Sequence, residues 1–230
     1  MRVPTRTTSG PPAADARPTA PYLFWLAVTA IAYGLTHHIG FGLAWLGNAG
    51  ETRWADWADL ITPYAVLLPA AAALRAGGAS PRLWIVYLAG ALTYVEGHGI
   101  HLAANSVSNA DPSDLVHLWD EVVGHYLWYG GLSVVFAALA AALAHRPPVR
   151  GPVPAVLALV TGVTFTTNAL EGGTAIAAIA VTAAFTAWGW RTRRHLGRLM
   201  IGVFAPALLL LIAYGILHGG FPEPSDIGWV

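Results

Sequence analysis

The chain contains no cysteine and no lysine, only two methionines, and charge on just a tenth of its 230 residues. Without cysteine it forms no disulfide and offers no thiolate to a metal. The near-absence of sulfur also argues against a copper(I) carrier, because that ion favours thiolate and thioether ligands. All twelve basic residues are therefore arginine, and no side-chain amine exists for a Schiff base. A soluble domain carries about a quarter charged residues. Here the hydrophobic share is 56% and the mean hydropathy +0.55, which points to a membrane protein. The formal net charge is zero, so nothing favours nucleic acid as a partner.

What is present is a series of long apolar runs. A bilayer core of about 30 Å takes roughly 20 residues of helix. Seven segments meet or approach that length: Tyr22–Leu46, Trp57–Arg75, Arg82–Val107, Leu115–Leu143, Pro152–Leu170, Thr174–Trp190 and Leu199–His218. The predicted fold is an all-α, seven-transmembrane-helix bundle over residues 22–220. A polar tail, residues 1–21, is rich in Pro, Thr, Ala and Arg and expected to be disordered. A short extracytoplasmic tail, 221–230, follows the bundle. The first apolar run extends past a normal signal-peptide core, so a retained first helix is expected. Asp111, followed by Pro112, predicts the start of the fourth helix. Pro63, Pro69 and Pro206 predict kinks inside spans.

Arginine placement sets the orientation. Arg2, Arg6 and Arg17 lie in the tail, and Arg75 and Arg82 in the second connection. Arg146 and Arg150 fall in the fourth connection, and Arg191, Arg193, Arg194 and Arg198 in the sixth; only Arg53 lies opposite. With seven spans, positive charge inside predicts a cytoplasmic N-terminus and an extracytoplasmic C-terminus. The expected location is the cytoplasmic membrane, as a multi-pass protein.

The histidines and carboxylates gather at the other end. Counting helical rise from the arginine-rich ends puts His37 near 22 Å, His98 near 24 Å, and His101, His125 and Glu171 near 28 Å. His218 comes out near 30 Å, so five segments supply one polar layer. Tyr94, His98, His101 and Asn105 share one helix face, and His117, Asp120, Glu121, Gly124, His125 and Trp128 form a stripe on the next helix. Asn168 and Glu171 pair at i,i+3, and Tyr214 and His218 at i,i+4. Glu96 points about 160° away from His98 on a regular helix, though Gly97 and Gly99 allow a distortion there. His145 and His195 read as solvated surface, and Asp56, Asp59, Asp111, Asp114, Glu223 and Asp226 as decoration of loops and helix starts.

Imidazole and carboxylate without sulfur suit a divalent metal, with zinc favoured over iron or manganese. His98, His101, His125 and His218 are the candidate ligands, with His37, His38, Glu96 and Glu171 available for a second ion. Glu121 and Asp120 are the candidate catalytic groups, Glu121 as base toward a metal-bound water. Asn105, Asn168, His117 and Tyr214 suit supporting roles around the ligands. Ionisable groups inside membranes usually mark function, although a packing network of hydrogen bonds explains the same residues.

The leading expectation is a metal-dependent membrane hydrolase acting on a lipid-like substrate. A di-iron or haem oxidoreductase and a proton or metal transporter are the alternatives. The architecture resembles the seven-helix membrane hydrolases that include the alkaline ceramidases and adiponectin-receptor-like proteins. Their His-x-x-x-His pair on the last helix has no counterpart beside His218, so that resemblance transfers no residue.

Overall fold

The computed structural model describes residues 19–144 and 146–229. The expectations for the start of the N-terminal tail and for His145 lie outside those residues. Among the described residues the fold is all-α, with seven long helices: α1 Thr19–Thr36, α2 Trp54–Ala76, α3 Pro81–Ser108, α4 Asp114–Leu143, α5 Pro152–Glu171, α6 Ala175–Arg191 and α7 Arg198–His218. Of these, α2, α4, α5 and α7 are long and apolar enough to cross a membrane, which makes the chain a membrane protein.

Several boundaries differ from the sequence expectation. The first helix stops at Thr36 rather than Leu46, where His37 and His38 form a turn. A four-residue helix, Ile39–Gly42, a 3-10 turn, Ala44–Leu46, and a small hairpin pairing Asn48–Ala49 with Thr52–Arg53 follow. Gly40, Gly42 and Gly47 make that apolar stretch a poor helix, whatever its hydropathy. In α2 the helix breaks at Leu60–Ile61, and Pro63 lies in the first turn of the second piece instead of kinking a span. The fourth helix begins at Asp114, with Ser113 rather than Asp111 as its cap, accepting from Val116 N at 3.3 Å.

Close approach of backbones determines which helices pair. α3 and α4 pack along their length, α1 lies on α2 and α5, and α7 lies against α5 and α6. The α3/α4 seam runs through Gly90 and Gly97 on one helix and Gly124 and Gly131 on the other. A Cβ at Gly97 would lie 2.2 Å from Trp128 N, and one at Gly131 would lie 2.3 Å from Tyr94 N. Between helices in lipid, such small-residue contacts replace the hydrophobic drive of a soluble core. Phe136, Phe165, Phe185 and Phe204 join α4, α5, α6 and α7 below this level, with ring centroids 4.5–6.3 Å apart.

The bundle has two chemically different ends. At the arginine end, Arg146 donates to Gly77 O and lies 5.3 Å over the Tyr22 ring, while its own carbonyl accepts from Leu196 N. One residue thereby ties three connections together. At the histidine end, Thr62 donates to Thr36 O, holding α2 against the end of α1.

Candidate functional site

Helix α3 stays regular past Gly97 and Gly99, so the anticipated distortion is not there. It occurs in the partner helix, where Leu118–Gly124 forms a π-turn. In an α-helix Asp120 and Glu121 diverge by about 100°. Across the wider turn Asp120 meets His101 on α3 and Glu121 meets His125 on its own helix, and Gly124 lets His101 come close, since a Cβ there would sit 2.9 Å from His101 Cα. Single π-turns inside α-helices are frequent at functional sites.

Three imidazoles each meet a carboxylate in this layer. His101 Nδ1 lies 2.6 Å from Asp120 Oδ1, and His125 Nδ1 lies 3.0 Å from Glu121 Oε2. His98 Nε2 lies 3.6 Å from Asp59 Oδ1, and Asp59 also accepts from the Thr62 hydroxyl. His98, Asp120 and His125 are buried. Beyond these pair contacts, the ring nitrogens, Asp120 Oδ1 and Glu121 Oε2 have no further hydrogen-bond partner among the described residues. Buried polar atoms in that condition call for an explanation beyond packing.

Trp128 is the common floor. Its ring lies 4.7 Å from His98, 5.1 Å from His101, 5.5 Å from His37 and 5.7 Å from His125. The His101 and His125 rings stand side by side, 4.4 Å apart and tilted by 33°. Tyr129 stacks on His125 at 5.5 Å, and Gly172 backs both rings, its absent Cβ position falling 2.8 Å from Tyr129 and 3.0 Å from His125.

Other predicted residues are placed differently. His37 is on a second level, its Nε2 3.0 Å from Tyr94 Oη and its ring 4.3 Å from Tyr33. His38, Glu96 and His117 are exposed, and none of them is a partner in the three pairs. Asn105 accepts from Asn109 through its carbonyl and stays outside the layer. Asn168 is buried beside Tyr33, its Nδ2 without a hydrogen bond. His218 stacks on Tyr214 at 4.4 Å, and Trp229 covers both.

Three carboxylates read as loop decoration are structural parts of this end. Asp59 belongs to the His98 pair, as above. Asp56 is buried and accepts from Arg53 and from the Ser106 hydroxyl. Their signal was the repeat Trp54-Ala-Asp-Trp-Ala-Asp59, which puts both aspartates on one helical face. Glu223 arrives on a strap, residues 219–229, that turns back at Gly219, where φ is +64°. Tyr214 Oη donates to Pro222 O at 2.8 Å, and Ser225 N donates to Glu171 Oε2 at 3.2 Å. Burial, then the nearby Glu121, Asp226 and Glu171, push the Glu223 carboxyl up to about 7; His125 opposes this.

Among the described residues, no three histidine or carboxylate groups converge as a ready metal-ligand set. No family model, curated protein or solved structure matches this chain.

Proposed function

We propose that the chain is a membrane-embedded, metal-dependent hydrolase whose site lies near the extracytoplasmic face and acts on a lipid-like substrate. In this reading seven helices span the cytoplasmic membrane, and the arginine end is cytoplasmic, in keeping with positive charge inside. The observation that carries the proposal is the His101–His125 pair, two neighbouring rings each backed through Nδ1 by its own carboxylate. A carboxylate on one ring nitrogen fixes the tautomer and leaves Nε2 to a metal, the arrangement common among metal-bound histidines. Zinc suits these nitrogen and oxygen donors, and positions not filled by protein are left for water and substrate.

Asp120 and Glu121 then orient the ligands, a different assignment from a lone catalytic base. The His98–Asp59 pair, on the same tryptophan floor, takes the proton of the attacking water. The water oxygen adds to the acyl or phosphoryl centre, the ester or amide bond breaks, and the leaving group receives the proton. Lipid head groups are the nearest substrates at that depth.

A second reading, a metal-free proton relay through the three pairs, is favoured by the absence of a converged three-ligand set among the described residues. Elemental analysis of detergent-purified protein beside a His101→Ala/His125→Ala variant separates them. Stoichiometric zinc, lost in the variant, is the expected result. Iron lost in the same way moves the reading to an oxidoreductase, and no metal in either sample leaves the relay.

A further inference from the structure

A cavity of about 250 Å³ opens between α4, α5 and α6 on the lipid-facing side of the bundle, close to the paired histidines. Its walls include Tyr126, Tyr129, Gly130, Phe165, Ala177 and Val181. Tyr129 is the shared wall: one side faces the cavity, and its ring stacks on His125. Of the four hydroxyls in the lining, Ser133 and Thr174 are already satisfied, by Tyr129 O at 2.7 Å and Ala169 O at 3.4 Å, which leaves those of Tyr126 and Tyr129. A polar ligand thus finds little to bond to, whereas a hydrocarbon chain needs nothing but contact. Gly130 and Ala177 are exposed at the mouth, so access is from the membrane interior, where lipid chains are the solvent.

A larger apolar cavity, about 410 Å³, lies toward the arginine end. Its wall reaches Tyr33, with His37 and Trp128 standing between that wall and the His101–His125 pair. It is therefore not continuous with the site in the way the smaller cavity is.

We propose that the cavity between α4, α5 and α6 takes one acyl chain of a membrane lipid and so presents that lipid's head group to the His125–Glu121 pair. This names the substrate class of the hydrolase reading and rests on it. Gly130 gives a clean test, because a Cβ added there meets nothing within 4 Å. Gly130→Leu and Ala177→Leu enlarge two of the cavity's lining positions, on α4 and on α6.

The full chain is reconstituted in vesicles containing a phosphatidylcholine with a photoactivatable group on its acyl chain, and adducts are located by peptide mass spectrometry. Enrichment in residues 126–133 and 174–181 is expected. It falls about tenfold in Gly130→Leu and Ala177→Leu, the effect of excluding a few buried methylenes. Ala30→Leu, in the larger cavity, leaves it unchanged. Adducts spread evenly over the lipid-facing surface, or enrichment that both filling variants preserve, overturn the proposal. Metal content measured on the same samples keeps the two ideas apart. Unchanged zinc with no enrichment rejects the chain site alone, and enrichment without any metal rejects the metal reading alone.

Discussion

Gly97 and Gly99 are two residues apart on α3, and the same substitution should act on them in opposite directions. At Gly97 an added Cβ would lie 2.2 Å from Trp128 N and 2.6 Å from Leu127 C. Both are backbone atoms of α4, which no rotamer change can move aside. The helices must part by about 1 Å, an overpacking cost of roughly 1–3 kcal/mol or more. At Gly99 nothing lies within 4 Å, so alanine brings only its helix propensity, worth up to about 1 kcal/mol. For a chain of this size each kcal/mol moves Tm by about 2–4 °C. Thermal unfolding in a mild detergent should therefore lower Tm by several degrees for Gly97→Ala and hold or raise it for Gly99→Ala. Metal content should fall only in Gly97→Ala, since His98 and His101 move with α3. Equal Tm values for the two variants would refute the seam as the element that sets the site.

The remaining predictions concern the pairs, their floor and the strap. Asp120→Asn and Glu121→Gln keep side-chain shape and remove the charge behind one imidazole each; metal affinity, measured by chelator competition, should drop about 10–100-fold while the fold persists. Unchanged affinity in both denies the carboxylates that orienting role. Trp128→Ala removes the ring against which four histidines pack and should cost about 3–5 kcal/mol in detergent unfolding, with Trp128→Phe milder. A loss under about 1 kcal/mol for the alanine variant contradicts a packed floor. Glu223 has a docked pKa raised to about 7, above that of a free carboxyl, so the docked strap holds its proton longer. Docking is then firmest at low pH and weakens as pH rises through about 7. Hydrogen-exchange protection of the strap amides should fall over that range and become pH-independent in Glu223→Gln; a flat profile in the parent chain contradicts the linkage.

Much of the helical plan was legible because hydropathy and breakers report on it directly. The long helices fall where the apolar runs do, and the layer of His98, His101, Asp120, Glu121 and His125 follows from counting rise along two neighbouring helices. What failed had physical reasons. The run Ile39–Leu46 is apolar enough to extend the first predicted segment, Tyr22–Leu46, but its glycines and the His37-His38 turn make it loop and short helix. The π-turn was invisible to a fixed 100° period, although two adjacent carboxylates assigned to one stripe already strained that period. Asp59 was discounted because it falls at the very start of the predicted second segment, Trp57–Arg75, where a carboxylate reads as decoration of a helix start. Glu223 had no local signal at all, since its approach depends on where the strap folds.

The seam and the site are one construction. Lipid offers helices little hydrophobic reason to associate, so backbone contact through Gly90, Gly97, Gly124 and Gly131 must supply it. That contact carries His98 and His101 into a layer where an isolated ionised group is very costly, and each imidazole finds a carboxylate there. Two of the three pairs cross helices, α3 to α2 and α3 to α4, so moving α3 separates buried polar partners as well as losing van der Waals contact. The π-turn gives up regular hydrogen bonding to aim Asp120 and Glu121 inward, and such a local cost persists only where surrounding packing fixes it. The glycines provide that packing: Gly97 lies one turn before His101, and Gly124 directly precedes His125. Substitutions at the seam should therefore affect chemistry as strongly as substitutions at the paired residues themselves, without touching any reacting group.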